Sequence, residues 1–91
     1  MPQVIIDPDE ARNFANYLEQ TIDAIRSQKI SVTSDFDNLN EVWRDHKYDK
    51  FSKVFFDATT KIDSFINMAE NYVDYLRRKA ERADRYLEDR Y

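Results

Sequence analysis

The chain is predicted to be all-α: an antiparallel two-helix hairpin that dimerises into a four-helix bundle. Three observations predict it. First, Ala11, Leu18, Ile25, Val32 and Leu39 recur every seven residues, and Ala15, Ile22, Lys29, Phe36 and Trp43 run beside them four positions on. Second, a new pair of tracks begins after the turn: Tyr48, Phe55, Ile62, Ala69, Leu76 and Ala83, with Phe51, Ala58, Phe65, Tyr72, Lys79 and Tyr86. Sustained heptads mark helices packed along a seam, and the two-residue period of strands cannot generate them. Third, glycine is absent and both prolines lie in the first eight residues. The only place left for a reversal is Trp43-Arg44-Asp45, between the two pairs of tracks.

Along the chain, Met1 to Ile6 form an extended lead-in. Asp7-Pro8-Asp9-Glu10 then starts a helix: Asp7 caps, Pro8 suits the first helical position, and Glu10 stands where a capping-box carboxylate reaches back. The first helix is expected over about 8–39. Its seam carries one polar break at Gln28-Lys29, a device that more often fixes register than binds a ligand. Ser31-Val32-Thr33-Ser34 is β-branched and hydroxyl-rich, so it is the weakest stretch of that helix. The turn spans about 38–45, with Asp45 placed to cap the second helix. That helix is expected over about 46–89, supported by acid-first pairs four apart: Asp49–Lys53, Asp57–Lys61, Asp74–Arg78 and Glu81–Arg85.

A third apolar track, Ile66, Val73, Ala80 and Leu87, runs along the second helix, and Val54 and Phe56 add bulk nearer the turn. A hairpin buries one seam per helix. These six residues are therefore expected to form a face for a partner. Small domains without disulfides or metals often close their energy gap by association. The simplest outcome is a homodimer, or a heterodimer with a similar hairpin, built as an antiparallel pair of hairpins.

Composition bounds function by exclusion. The 91 residues make a single domain, 1–91, with a net charge of −4 and acids interleaved with bases. That pattern does not point to nucleic acid. The basic residues of the last turns (Arg77, Arg78, Arg82, Arg85, Arg90) stand among acids and suit a helix C-terminus. Without glycine or cysteine there is no phosphate-cradling loop, disulfide or thiolate centre. His46 is the only histidine, and the carboxylate pairs Asp35–Asp37 and Glu88–Asp89 lack a pocket to tune them. A di-iron bundle needs Glu-x-x-His pairs, and Trp43 stands three before His46. No catalytic, metal or cofactor residues are expected, and no cofactor. No apolar run is long enough for a membrane span. The start of the chain lacks the basic flank and apolar core of a cleavable signal. The expected location is cytoplasmic, or secreted without such a signal.

Leu39, Trp43 and Phe51 carry a resemblance. A leucine, a tryptophan four positions on and an aromatic eight after that are similar to the motif of the WXG family. These are the early secretory antigenic target-like helical hairpins of type VII (ESX) secretion. Length, the near-central Trp43 and the absence of cysteine fit the same family. The glycine of Trp-x-Gly is replaced by Asp45, and no tyrosine is followed four residues later by Asp or Glu, the export signal of the actinobacterial branch. The resemblance implies a bacterial, non-enzymatic secretion substrate or companion, with the secretion machinery or a larger toxin as further partner. In that setting Trp43 either locks the turn or lines a groove that a partner reads. The alternative is a structural or adaptor coiled-coil module of an unrelated assembly. Tyr75 and Tyr91 fall off the seam and are either partner contacts or simply exposed.

Overall fold

The computed structural model describes residues 6–89, two helices packed side by side. Most of the lead-in, with Arg90 and Tyr91, lies outside the described residues, as do the side chains from Glu88 onward. Helix α1 spans Pro8–Leu39 and α2 spans His46–Asp89. At 1.5 Å per residue, α2 is about 66 Å long, which sets the longest of the dimensions, 69 × 23 × 12 Å. The molecule is therefore one helix thick. Its radius of gyration, 20.3 Å, compares with about 12 Å for a compact chain of this length.

Local chemistry fixes the ends of α1. Asp7 holds extended torsions, φ −81° and ψ 116°, and its Oδ1 accepts from the N–H groups of Asp9 (2.9 Å) and Glu10 (3.3 Å). Glu10 thus contributes to the cap through its backbone. The helix continues unbroken through Ser31–Ser34. It ends in short-range bonds: Asn40 N–H to Asp37 O, Glu41 N–H to Asn38 O, and both Val42 and Trp43 N–H to Leu39 O. No described residue has positive φ. The reversal is made entirely in torsions open to any L-residue, which is how a chain without glycine turns back on itself.

The seam is graded along its length. At the end far from the turn it is built from Ala11, Ala15, Ala80 and Ala83, all buried, and small side chains let the backbones approach. Ile22, Ile66, Ala69 and Val73 fill the middle, with Leu18, Ile25, Ile62 and Leu76 packed against them. Ile22 is the largest side chain that is fully enclosed, at 1% exposure. Toward the turn the seam widens and rings fill it. Phe36 stacks on Phe55 (centroids 4.3 Å) and Tyr48 (5.2 Å) and meets Phe51 edge-on (5.5 Å).

This seam corrects one sequence expectation. On α2 the track Tyr48, Phe55, Ile62, Ala69, Leu76, Ala83 does face α1. Beyond Phe51, which meets Phe36, its companion is not Phe65, Tyr72 and Tyr86, which are all exposed. The companion is the third track: Ile66, Val73 and Ala80 are buried inside the hairpin, Ala80 completely. They are not a partner face. Positions three and four beyond a seam residue are both its neighbours on a helix, so either track can pair with it. The track that turned inward carries Ala80 and Val73. The one left outside would have brought the Lys79 ammonium and two tyrosine hydroxyls into a dry, narrow seam, where unpaired polar groups are costly.

Candidate interaction surfaces

The two sides of this flat hairpin differ. On one side, ion pairs bridge the helices. Arg12 binds Asp84 (2.6 Å), Arg77 binds Glu19 (2.7 Å) and the side-chain oxygen of Asn16 (2.9 Å), Arg26 binds Glu70, and Lys29 binds Asp63 (2.5 Å). The Asp84 and Asp9 carboxylates raise the Arg12 pKa, and the hydrogen bond from Arg77 lowers that of Glu19 while raising that of Arg77. All these side chains are partly exposed, so each pair adds little stability. Their order has more consequence. Positions 12, 19 and 26 carry +, −, + and face −, +, − at 84, 77 and 70. A slip of one heptad sets Arg12 against Arg77 and Glu19 against Glu70, two repulsive pairs against the one attractive pair, Arg26 with Asp63, that it would leave. The alternation selects the register by making its neighbours repulsive. Lys29, read as a polar break, joins this side.

Because the Glu19 carboxyl is held below its ordinary value of 4.5, its contribution is present above that pH. It is lost as the pH falls through the lowered value. Thermal midpoints of wild type and Glu19→Gln, followed downward from neutrality, are expected to converge only below about pH 4.5. A constant gap between the two across the whole range contradicts the pairing.

The other side is apolar and open. Phe65 (43% exposed) and Tyr72 (56% exposed) stand three residues beyond seam members Ile62 and Ala69, and Met68 and Tyr75 stand one before seam members. Phe14, Val32 and Leu39 are exposed on α1. Thr21, Ala24, Ile25, Gln28, Val32 and Ile62, with Lys29 at the seam between the two sides, line a mainly apolar groove of about 430 Å³. The heptad pattern alone places the aromatic track inside. The signal that it lies outside is the Lys79 in its run.

The expected partner-face residues are thus divided. Ile66, Val73 and Ala80 are internal, Val54 lies toward the open side, and Leu87 is exposed at 39% near the chain end. Phe56 falls in the heptad position occupied by the ion-pairing acids Asp63, Glu70 and Asp84. There it lines a separate, more polar groove with Ile30, Thr33 and Asp63. Of the acid-first pairs along α2, Asp57–Lys61 (3.3 Å) and Glu81–Arg85 (3.8 Å) form, whereas Asp49–Lys53 and Asp74–Arg78 are not among the ion pairs of the described residues.

At the turn, Asp45 is the acceptor that ties Trp43 to the start of α2, Phe51 stacks toward the indole, and Leu39 joins through its backbone carbonyl, which accepts from Trp43 N–H. The Trp43 Nε1–H donates to Asp45 Oδ1 (2.8 Å), and the same oxygen accepts from Tyr48 N–H (3.1 Å). Asp45 therefore caps α2 and fixes the indole. The indole meets Tyr48 edge-on at 5.3 Å and stacks toward Phe51 at 6.3 Å. Trp43 is half-buried, Leu39 and Phe51 are exposed, and Val42 is 83% exposed beside them. Asp45→Ala removes both bonds and is expected to cost about 1–3 kcal/mol, the sum of a lost cap and one hydrogen bond. Asp45→Asn keeps the acceptor and is expected to retain most of this in a denaturant titration. Equal losses for the two variants would show that the carboxylate oxygen is not what holds the turn.

His46, Asp35 and Asp37 are exposed, and no group of three or more His, Cys, Asp or Glu among the described residues is arranged to hold a metal ion. No described helix is long and apolar enough to cross a membrane. The chain matches no family model, and no curated protein or solved structure is similar to it.

Proposed function

We propose that this chain is a non-enzymatic, WXG-like small helical protein. It acts in type VII secretion as a substrate or as a companion of one, through helix–helix association. The observation that carries this is the contrast between its two sides: one closed by ion pairs, the other left apolar in a molecule one helix thick. A surface of that kind offers association rather than chemistry. The turn adds support, because Trp43 of the motif stacks toward Phe51 and is held by Asp45, which stands where the family has glycine. The working unit is a dimer, with itself or with a similar hairpin, and it works in the cytoplasm or outside the cell.

The test is export. Tagged protein is expected in culture supernatant of the native cell and absent from it when the secretion ATPase is deleted. Trp43→Ala is expected to leave a folded protein that is no longer exported. Retention inside the wild-type cell, with no type VII ATPase gene or large WXG- or LXG-headed toxin gene nearby, would turn the assignment to an adaptor module of another assembly.

A further inference from the structure

We propose that the groove on the ion-paired side, toward the turn, is a docking surface of its own. It takes an arginine side chain with an aliphatic neighbour, presented by a basic segment of a partner protein. This goes beyond the association role above and does not rest on it. The groove exists because the ladder of ion pairs stops. Positions 12, 19 and 26 of α1 are charged and face charges at 84, 77 and 70. The next step toward the turn places Thr33 on α1, and on α2 the track of acids ends at Asp63 and continues with Phe56. Asp63 is already bound by Lys29 (2.5 Å). With no charged rung beyond that pair, the helices leave a space of about 550 Å³, lined by Ile30, Thr33, Asp37 and Phe56 among others.

Its chemistry selects a cation on an apolar stem. Thr21, Thr59 and Thr60 each donate their hydroxyl to a carbonyl of the preceding turn, the usual recourse of threonine inside a helix. Thr33, the fourth threonine, instead has a buried hydroxyl oxygen without a hydrogen-bond partner. Asp37 stands one turn further along the same face of α1. It is exposed and in no ion pair among the described residues. On the opposite wall the hydroxyl hydrogens of Thr59 and Thr60 are both spent on the Phe56 carbonyl. Acceptors therefore outnumber donors, and one lysine against two aspartates leaves the lining net negative. Such a lining turns away phosphates and carboxylates. The Phe56 ring, 73% exposed, offers its face to a cation, and exposed Ile30 offers packing to an aliphatic neighbour. A guanidinium is a planar fork of donors that also stacks on rings, which an ammonium cannot match. The groove faces away from the open apolar side, so both surfaces can be occupied at once.

The probe is the blocked tripeptide Leu-Arg-Leu, titrated into the isotope-labelled full chain and followed by amide chemical shifts. The shifts are expected to saturate at about millimolar peptide and to centre on Thr33, Asp37, Phe56 and Thr59. A peptide with citrulline in place of arginine keeps the shape, loses the charge and is expected to bind about tenfold more weakly. Asp37→Asn and Phe56→Ala, both at exposed positions, are each expected to weaken binding about two- to fivefold and to leave the thermal midpoint in place. Asp35→Asn, on the other face of α1, removes the same charge and is expected to leave binding unchanged. Shifts that never saturate, shifts centred on the open side, equal binding of the citrulline peptide, or equal effects of Asp37→Asn and Asp35→Asn overturn the proposal. None of these readouts depends on export, so failure of the secretion assignment is seen separately.

Discussion

Ile22→Ala is expected to lower the stability of the hairpin by about 2–5 kcal/mol, the range for truncating an enclosed aliphatic side chain. Among the described residues, Ile22 is the largest side chain that is fully enclosed. It packs among Ile66, Ala69 and Val73, and two parallel rods leave few neighbours able to collapse into the space. In a domain of this size the thermal midpoint should fall on the order of 10 °C or more. Ile30 is the matched control. It has the same side chain on the same helix but is 70% exposed, and Ile30→Ala should stay within about 0.5 kcal/mol of wild type. Helical signal against temperature measures both. Equal midpoints for the two variants would mean the core does not run through Ile22.

Phe36→Ala is expected to be the second large loss, up to about 3 kcal/mol, the low end for an aromatic truncation because the site is not fully enclosed. Phe36 is the only ring that α1 contributes to the cluster, and it touches Tyr48, Phe51 and Phe55 at once. Ring pairs of this geometry add about 0.5–1.5 kcal/mol each beyond area. Without it, the rings of α2 have no partner across the wide end of the seam, and the turn should loosen before the alanine-lined end does. Trp43 is the sole tryptophan and stacks within this cluster, so its fluorescence reports the change. The variant should show a red-shifted indole under conditions where overall helicity is intact. An unshifted spectrum would show that the cluster holds without α1.

The two helices, their caps and the place of reversal were legible in the sequence because their causes are local. Asp7-Pro8 starts α1, Asp45 starts α2, and sevenfold spacing needs no knowledge of what lies opposite. The choice between Ile66-Val73-Ala80 and Phe65-Tyr72-Tyr86 was not legible. Both tracks adjoin the same seam residues, and the outcome depends on what α1 presents across the gap: Ala11 and Ala15 at the narrow end, Phe36 at the wide one. The ion pairs were hidden for the same reason. Arg12 and Asp84 are 72 positions apart, and interleaved charges read along one strand of sequence look like ordinary wetted faces. At the turn, sequence foresaw that Asp45 would cap α2. That its free lone pair would also pin the indole came only from geometry.

The bend carries no torsion reserved for glycine. Asn40, Glu41, Val42 and Arg44 can therefore be exchanged for other side chains around the Trp43–Asp45 bond, and mutation can redraw the surface at the tip of the hairpin without a backbone penalty. A glycine-dependent corner keeps part of its outline blank, whereas this one can be written over everywhere but at that bond. Substitutions there can change what the tip presents and leave the place of the fold-back unchanged.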